Sequence, residues 1–515
     1  MLVISSLYIV SLSLIAIYIA YDIILLIIFL INSKSIERGS IINAKLAQRK
    51  LFQRAHQTLI SYPYYNDLSP SDYSNSLDYP TVTIQLPVFN EGKLLADILL
   101  SITDFTYPKE LIQIQVLDDS TDESRFYNQA LVEEYQEKGY DIEYISRDNR
   151  DGFKAGALKN GLITSRGSLI CIFDVDFQPS SDFLIKSVKY FEDSDIAMVQ
   201  SKWGYLNESK SVLTLAQSLM LGGHFNIEQN ARQASSSYIN FNGTAGIWRK
   251  SAILDSGNWQ GDTLTEDLDL SIRAQLLGWK MIYLIDNIAP SLLPDNAQSF
   301  KTQQFRWCKG GIETAKKILS NALTSNISLK NKVELLFHLT SGSVYLFTFI
   351  FVLLTPIVAL KDVLDIGSKL SFDISGLFYV FNALGILTFI YYLVSANFSK
   401  GLVMKRILAY PYFIALNLGL SLNNTKGIIE ALIGKKTGFI RTDKQSRPRR
   451  GNKIRFVNIM ELVIGLISSG VAILCIYSLA IGYVPILMLI AIGMFTFSIP
   501  SFKNALFRRR SNNNK

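Results

Sequence analysis

The uneven distribution of apolar residues is the feature that most constrains the fold of this 515-residue chain. Residues 2–31 and most of residues 333–500 are apolar, whereas residues 35–332 have the mixture of charge, glycine and alternating polarity that is typical of a soluble protein. An apolar run of about 20 residues is long enough to cross a bilayer as a helix. The sequence therefore predicts an integral, multi-pass membrane protein that carries one large water-soluble domain.

The apolar runs divide the chain into successive segments. We predict a transmembrane helix at 1–32, a basic membrane-proximal linker at 33–80, a soluble α/β domain at 81–300, an interfacial helix at 301–332, two transmembrane helices in 333–398, an interfacial or re-entrant segment with a basic loop at 399–456, two more transmembrane helices in 457–502 and a basic tail at 503–515. Residues 407–422 are apolar, but a crossing there would place the basic residues 423–452 outside, against the positive-inside tendency. We therefore predict five crossings in all.

Lysine and arginine gather beside the apolar runs, notably at 34–54, 435–455 and 508–510. A net charge of +8 could suit nucleic acid, but a cytoplasmic bias of basic residues explains this placement with the lipid bilayer as partner and no nucleic acid. The first apolar run lacks the basic start and the small-residue cleavage site of a secretory signal, so we predict a retained anchor. The N-terminus is then outside and the soluble domain cytoplasmic, in a bacterial inner membrane rather than a Golgi membrane.

The cysteines and histidines indicate neither disulfide bonds nor a zinc site. The three cysteines, Cys171, Cys308 and Cys475, and the three histidines, His56, His224 and His338, have neither disulfide nor zinc spacing.

The stretch from Leu169 to Gln178 predicts the central strand of the soluble domain. Its apolar run is typical of a parallel strand that is covered on both faces. Asp174 and Asp176 follow at the carboxyl end, where ligands bind in open α/β sheets. Residues i and i+2 of an extended chain point the same way, so these two carboxylates can hold one hard cation. Solvated acids at the end of a strand are the alternative interpretation of this pair.

Strands and helices alternate before this central strand. Residues 81–89, 111–117 and 142–145 read as strands, separated by helices at 93–105 and 124–138. This order predicts βαβ units and a mainly parallel, Rossmann-like sheet. Asp118 and Asp119 end the second strand, so two pairs of acids meet at one edge of the sheet. Neither a P-loop nor a G-x-G-x-x-G motif is present, which argues against those nucleotide-binding folds.

Three further stretches carry candidate residues. Lys154, in a glycine-rich turn, could meet a phosphate or remain a solvated lysine. The small residues from Phe241 to Gly246 allow a ligand or another backbone to come close. Thr265 is a plausible N-cap, and Glu266 and Asp267 suit a helix start, yet a carboxylate there could also serve as a general base.

A helix is predicted from Gln303 to about Asn321, and its amphipathic character suggests that it lies on the membrane surface. Trp307 could anchor this helix in the interface, or its broad face could stack on a sugar while Arg306 meets a phosphate.

Four of these motifs, in this order, resemble the D, DxD, TED and QxxRW signature of processive family 2 glycosyltransferases. They are Asp118-Asp119, Asp174-Val-Asp176, Thr265-Glu-Asp267 and Gln303-Gln-Phe-Arg-Trp307. The surrounding sequence segments, such as Arg147–Lys159 and Phe241–Gly246, are most similar to the cellulose synthase-like A group of mannan and glucomannan synthases and to their bacterial relatives. The resemblance covers roughly residues 80 to 320.

The resemblance implies a GT-A fold, inserted between transmembrane helices, that moves a hexose with inversion from GDP-mannose or UDP-glucose onto a growing β-linked polysaccharide. Asp118, Asp119, Lys154, Asp174, Gln303 and Arg306 would bind the nucleotide sugar, and Asp174 and Asp176 would hold Mg²⁺ or Mn²⁺. Asp267 would be the catalytic base. Trp307, Glu266, Asn242, Gly243 and Thr244 would face the acceptor.

A gating loop is also implied. Phe439-Ile-Arg-Thr-Asp-Lys444 is similar to the FxVTxK loop of cellulose synthases, with Phe439, Thr442 and Lys444 at the matching positions and Arg441 in place of the usual valine. A basic loop near the membrane is the alternative for this segment.

Two rival functions remain open. One is a non-processive family 2 transferase with a lipid-linked acceptor, and the other is a channel or scaffold with a silent domain. A polysaccharide synthase could also have accessory export subunits as partners.

Overall fold

The computed structural model describes residues 2–55, 79–364, 375–397, 401–438 and 454–513. Phe439, Thr442 and Lys444, predicted for the gating loop, lie outside these residues.

A seven-stranded sheet forms the centre of the soluble domain, in the order β3-β2-β1-β4-β6-β5-β7. Its strands are β1 (Val82–Val88), β2 (Ile112–Asp118), β3 (Ile142–Ser146), β4 (Leu169–Ile172), β5 (Ile196–Tyr205), β6 (Gly246–Arg249) and β7 (Lys280–Ser291). Only β6 runs antiparallel to its neighbours, β4 and β5. The predicted, mainly parallel sheet is therefore confirmed. All four residues of β4 are buried, as expected for a strand that is covered on both faces.

Helices cover the sheet and connect its strands. They are α2 (Gly92–Thr103), α3 (Ser124–Glu137), α4 (Phe153–Thr164), α5 (Phe183–Val188), α6 (Val212–Gly222), α7 (Gln229–Ala234), α8 (Lys250–Asp255) and α9 (Glu266–Leu276). A π-helical turn, Gly223–Glu228, joins α6 to α7. In α2 the buried residues Leu95, Ile98, Leu99 and Ile102 recur every three or four positions, so one face of this helix packs on the sheet.

The helix that carries Trp307 is longer than predicted and more deeply buried. This helix, α10 (Ala297–Thr324), lies between the soluble domain and the apolar helices. A Cβ atom added to Gly310 would come within 2.6 Å of Thr265, and one added to Gly427 would come within 3.3 Å of Phe305. Protein therefore covers this helix on the sides of Gly310 and Phe305. Its predicted position at the membrane surface stays a prediction.

Apolar helices occupy both ends of the chain. They are α1 (Leu2–Ala55), α11 (Leu329–Thr340), α12 (Val344–Val363), α13 (Ser375–Asn397), α14 (Val403–Leu408), α15 (Tyr410–Leu432), α16 (Phe456–Tyr477) and α17 (Val484–Asn513). Within the described chain, four segments are long and apolar enough to cross a membrane: Val3–Ser33, Leu329–Val363, Phe456–Tyr477 and Ile481–Lys503. The described part of α13 contributes a shorter apolar helix, Ala383–Asn397. Five crossings stay a prediction.

The segment at 407–422, predicted to be interfacial or re-entrant, forms the end of α14 and most of α15. Pro411 lies in the first turn of α15, where a missing N–H costs no helical hydrogen bond. A Cβ atom added to Gly419 would stand 2.4 Å from the Gly493 carbonyl oxygen, so α15 and α17 meet backbone to backbone.

Candidate active site

A cavity of about 160 Å³ opens at the carboxyl ends of β1, β2 and β4. It brings together most of the residues that the motifs predicted. Its lining includes Asp119, Lys154, Asp174, Asp176, Asn242, Gly243, Glu266, Asp267, Gln303, Arg306 and Trp307. Four motifs that are far apart in sequence therefore converge on one cavity.

The neighbouring acids Asp118 and Asp119 have different surroundings. Asp119 lines the cavity and forms an ion pair with Arg147, whose Nη2 lies 2.5 Å from Oδ2. Asp118 is not among the lining residues. Its carboxylate accepts hydrogen bonds from the Asn128 amide at 2.9 Å and the Tyr144 hydroxyl at 3.0 Å. Asp118 therefore braces the end of β2, while Asp119 faces the ligand space.

Asp174 and Asp176 both reach the cavity from the chain that follows β4. The Asp174 Oδ1 accepts a hydrogen bond of 2.5 Å from Lys154 Nζ, and its backbone N–H donates to the Thr244 hydroxyl at 2.8 Å. Asp176 is buried, and its Oδ2 accepts a hydrogen bond of 3.2 Å from the Leu292 N–H. Thr244 thus holds the backbone of Asp174 and is not itself among the lining residues.

The donor set fits a hard divalent cation. Two carboxylates at i and i+2 offer the oxygen ligands that Mg²⁺ and Mn²⁺ prefer, and the diphosphate of a bound nucleotide would add further oxygens. In the described part of the chain, no group of three or more His, Cys, Asp or Glu residues is placed to hold a metal by itself. Asp174 and Asp176 are therefore the residues that could hold a cation together with a ligand.

Lys154 links Asp174 to the loop at Gly243. Its Nζ donates to the Gly243 carbonyl oxygen at 2.8 Å as well as to Asp174. Burial lowers the pKa of Lys154, but the carboxylates of Asp174, Glu266 and Asp267 outweigh it and raise that pKa. Lys154 is therefore a fixed positive charge beside the two aspartates, rather than the solvated lysine of the alternative interpretation.

Asp267 lies in the first turn of α9. Burial, followed by the nearby Glu266 carboxylate, raises the pKa of Asp267 to about 7. A carboxylate with this pKa can accept a proton near neutral pH. A Cβ atom added to Gly243 would come within 2.9 Å of Asp267 Oδ2, so only glycine fits beside it.

Thr265 occupies the N-cap position of α9, as predicted, and its carbonyl oxygen accepts from the Asp269 N–H at 3.1 Å. Its side chain, however, makes no capping hydrogen bond. Its hydroxyl instead lies 3.1 Å from the Thr314 hydroxyl of α10. The threonine therefore ties the start of α9 to the helix that carries Arg306 and Trp307.

Arg306 and Trp307 face the acids from the opposite wall. Burial lowers the pKa of Arg306, although Glu266, Asp174 and Asp267 oppose that shift. Arg306 is thus a buried cation in the wall of the cavity. Trp307 borders this cavity and also a second one.

Some lining residues were not predicted. Arg150 lies over the Phe89 ring, with 3.4 Å between its Cζ and the ring centroid, and borders the nucleotide side. Arg147 and Arg150 lie close together in sequence just before the glycine-rich turn, and this clustering could have indicated that they contribute positive charge to the site. Trp203 comes from β5, and no local pattern marks it.

A second cavity, of about 430 Å³, adjoins the first and extends towards the apolar helices. The two cavities share five lining residues: Trp203, Asn242, Thr265, Asp267 and Trp307. Beyond them, the second cavity is bordered by Tyr18 and Asp22 of α1, His338 of α11 and Tyr345 of α12. Asp267 therefore stands at the junction between a polar cavity and a passage lined by aromatic and polar side chains.

Comparison with known proteins agrees with this geometry. Residues 80–310 match the family described as Glycosyltransferase like family 2. This part of the chain is therefore similar to family 2 glycosyltransferases, and its mixed, mostly parallel sheet is GT-A-like.

The resemblance to mannan and glucomannan synthases is also confirmed. A probable glucomannan 4-beta-mannosyltransferase 7 of Oryza sativa subsp. japonica is 39% identical over 269 residues, which are 50% of this chain and 46% of the relative. Glucomannan 4-beta-mannosyltransferase 9 of Arabidopsis thaliana is 38% identical over 298 residues, covering 56% of this chain and 55% of the relative. The chain thus spans about half the length of the curated relatives that it matches.

A solved structure of the mannosyltransferase PcManGT from Pyrobaculum calidifontis, in complex with GDP-Man and Mn2+, has a TM-score of 0.48 and 16% identity. It covers 80% of this chain and 100% of its own.

Proposed function

We propose that the protein transfers a hexose, with inversion, from a nucleotide sugar to the terminal hydroxyl of a β-linked glycan. The main support is the position of Asp267. This carboxylate, whose pKa is raised to about 7, borders both a cavity lined by Lys154, Arg306 and several acids and a second cavity with aromatic side chains in its lining. A direct displacement needs one base between donor and acceptor and no nucleophile from the enzyme.

The residues divide the work as follows. Asp119 with Arg147 and Arg150 would bind the nucleotide, while Lys154 and Arg306 would bind its diphosphate. A divalent cation held by Asp174 and Asp176 would neutralise charge on the departing diphosphate. Asp267 would take the proton of the acceptor hydroxyl as that oxygen bonds to the anomeric carbon. The bond from this carbon to the diphosphate oxygen would break at the same time, and the nucleoside diphosphate would leave.

We propose mannose as the transferred sugar, with GDP-mannose as its donor. The support is the activity in the names of the similar proteins, which are glucomannan 4-beta-mannosyltransferases. Glucose from UDP-glucose is the alternative, because mannose and glucose differ in the orientation of one hydroxyl group.

We also propose that the product stays bound and moves into the second cavity. That cavity starts at Asp267 and Trp307 and is bordered by residues of α1, α11 and α12. Aromatic faces there can stack on successive sugars, while tyrosine hydroxyls bond to sugar hydroxyls. In this arrangement the soluble domain lies on the cytoplasmic side and the glycan leaves through the helices.

The experiment uses the full chain, purified in detergent, with radiolabelled GDP-mannose, UDP-glucose and UDP-N-acetylglucosamine. We expect label from GDP-mannose in a long product that an endo-β-1,4-mannanase digests. A short product that extracts into organic solvent would replace processive synthesis with glycolipid synthesis. Release of nucleotide from none of the donors would contradict the proposed catalysis.

Topology has its own test. We expect a cysteine introduced between residues 423 and 452 to resist an impermeant thiol reagent on intact cells. Labelling of that cysteine would contradict the five-crossing arrangement.

A further inference from the structure

Asn242 stands where the two cavities meet, and the hydrogen bonds around it fix its side-chain amide. Gln229 donates from Nε2 to Asn242 Oδ1 at 3.0 Å and to the Asn240 carbonyl oxygen at 2.8 Å. Since a backbone carbonyl can only accept, the second bond fixes the orientation of Gln229. Asn242 Oδ1 therefore faces Gln229, and its Nδ2 faces the other way.

The atom opposite Asn242 Nδ2 is the Nε2 of His224, at 2.8 Å. An amide NH₂ is only a donor, so this ring nitrogen must present its lone pair. The other ring nitrogen, Nδ1, lies 3.2 Å from Glu228 Oε2 and carries the proton towards it. The neighbours of His224 thus select one neutral tautomer.

Ion pairs extend this arrangement to the apolar helices. Arg232 lies 3.2 Å from Glu228 through Nη2, and its Nε donates to Glu334 Oε1 of α11 at 2.7 Å. Burial raises the pKa of Glu228, but Arg232 and His224 outweigh it and hold that pKa below its usual range. Glu228 is therefore an ionised carboxylate that accepts a hydrogen bond from the Nδ1–H of His224. His224 and Glu228 both belong to the π-helical turn, a type of distortion that is frequent at functional sites.

The Asn242 amide keeps two bonding positions for a ligand. An amide has two N–H donors and two lone pairs on oxygen, and the contacts to His224 and Gln229 use one of each. The remaining N–H and lone pair belong to a side chain that borders both cavities next to Asp267.

We propose that His224 is a positioning residue for the acceptor: through the lone pair on Nε2 it holds the Asn242 amide in the orientation that binds the hydroxyl groups of the terminal acceptor sugar. This inference rests on the proposed function. It assigns the π-helical turn and its ion pairs to acceptor binding rather than to donor binding or proton transfer.

Three substitutions of His224 separate this role from a packing role. The oxygen of glutamine in H224Q can occupy the place of Nε2 and accept from Asn242. The shorter asparagine in H224N reaches only the place of Nδ1, and H224F keeps a ring without either nitrogen. We expect H224N and H224F to raise the KM for the acceptor about tenfold, the effect of one lost hydrogen bond. H224Q should stay within about threefold of the native KM, by the same argument.

The measurement uses the full chain in detergent, with β-1,4-mannohexaose as the acceptor probe and GDP-mannose as the donor. The KM for GDP-mannose should change by less than about twofold in all three variants, because no donor contact is altered. Equal losses in H224Q and H224F, or a parallel rise in the KM for GDP-mannose, would overturn the inference.

A double-mutant cycle with N242A completes the test. If His224 acts through Asn242, adding H224F to N242A should raise the acceptor KM by less than about twofold. Effects that add fully would show that His224 acts independently of Asn242 and would overturn the proposal. If the native protein is inactive with every donor, the proposed function itself is contradicted. If the native protein is active but H224F leaves the acceptor KM unchanged, only this inference is contradicted.

Discussion

The proposed donor side and the proposed acceptor side of the candidate active site are built in different ways. The donor side comes mainly from the ends of β1, β2 and β4 and from α4, within residues 87–176, and Arg306 of α10 joins it. The proposed acceptor side combines β5, the π-helical turn, the start of α9, α10 and four apolar helices, α1, α11, α12 and α13. Most proposed donor residues therefore belong to one βαβ region, whereas the proposed acceptor residues come together only where the soluble domain packs on the apolar helices. Substitutions on each side should change different kinetic constants.

Asp267→Asn should have the largest effect, because Asp267 lies between the two sides. Loss of the base should lower kcat by about a thousandfold or more, within the usual range for a general base and its electrostatic contribution. The KM for the donor should change by less than about threefold, since only acceptor deprotonation needs the carboxylate. Steady-state assays measure both constants, with the exposed Asp104→Asn as a matched control. Turnover of D267N near the native rate would exclude Asp267 as the base.

Chelation tests the donor side alone. We expect EDTA to lower the transfer rate at least about a hundredfold, since a metal contributes several kcal/mol to the stabilisation of the leaving group. Mg²⁺ or Mn²⁺ should restore the rate. Binding of GDP-mannose, followed by calorimetry, should weaken in parallel. Full activity in the presence of EDTA would contradict the metal role of Asp174 and Asp176.

The pH dependence tests the base directly. Asp267 can accept a proton only when it is ionised, and its pKa is raised to about 7. At saturating donor, kcat/KM for the acceptor should therefore fall about tenfold per pH unit below pH 7 and level off above it. Donor binding measured over the same pH range provides the control. A flat profile between pH 5 and 8 would be inconsistent with a base of this pKa.

Trp307→Ala should affect the acceptor side. Loss of the ring should raise the KM for the acceptor about five- to tenfold, because stacking on an aromatic ring contributes about 1 kcal/mol beyond the area that it buries. Trp307→Phe should recover part of the loss. A larger change in the KM for the donor than in that for the acceptor would reverse the assignment of the two sides.

The variants Asp118→Asn and Asp119→Asn test two neighbouring residues of one motif, and their effects on kinetic constants should be the smallest in this series. Asp119 lines the cavity, so D119N should raise the KM for the donor several-fold. Asp118 instead bonds to Asn128 and Tyr144, so D118N should lower the free energy of unfolding by about 1–3 kcal/mol and leave the KM for the donor within about twofold. Thermal unfolding in detergent measures the change in the free energy of unfolding. Equal effects of D118N and D119N on donor binding would contradict the division between them.

The sequence predicted the first half of the soluble domain well, because its strands are short apolar runs between helices. Strands β5, β6 and β7 were not predicted. In β5 the buried polar residues Gln200, Ser201 and Lys202 interrupt the apolar run. The Nε2 of Gln200 donates to the neighbouring Ser201 carbonyl oxygen at 2.7 Å, but also to the Thr244 carbonyl oxygen at 3.1 Å, which is far away in sequence. A local pattern cannot reveal such a strand.

The site residues likewise fall into those that local sequence patterns reveal and those that they do not. Acids at strand ends and at a helix start could be found from the sequence, since their spacing follows from local structure. Trp203 and His224 could not, because they become part of the site only when distant elements pack together. The different surroundings of Asp118 and Asp119 also depend on Tyr144 and Arg147, which follow in the next strand and turn.

The close approach of Gly419 and Gly493 has a mechanical consequence. No side chains lie between the two glycines, so α15 and α17 can separate only by losing direct main-chain contact. We therefore expect these two helices to move together as one unit beside α12. Helix α12 also meets α1, where the Tyr8 and Phe351 rings stack with 5.3 Å between their centroids. Flat rings can slide past one another at little cost, so any widening of the space beside α12 should begin on the α1 flank.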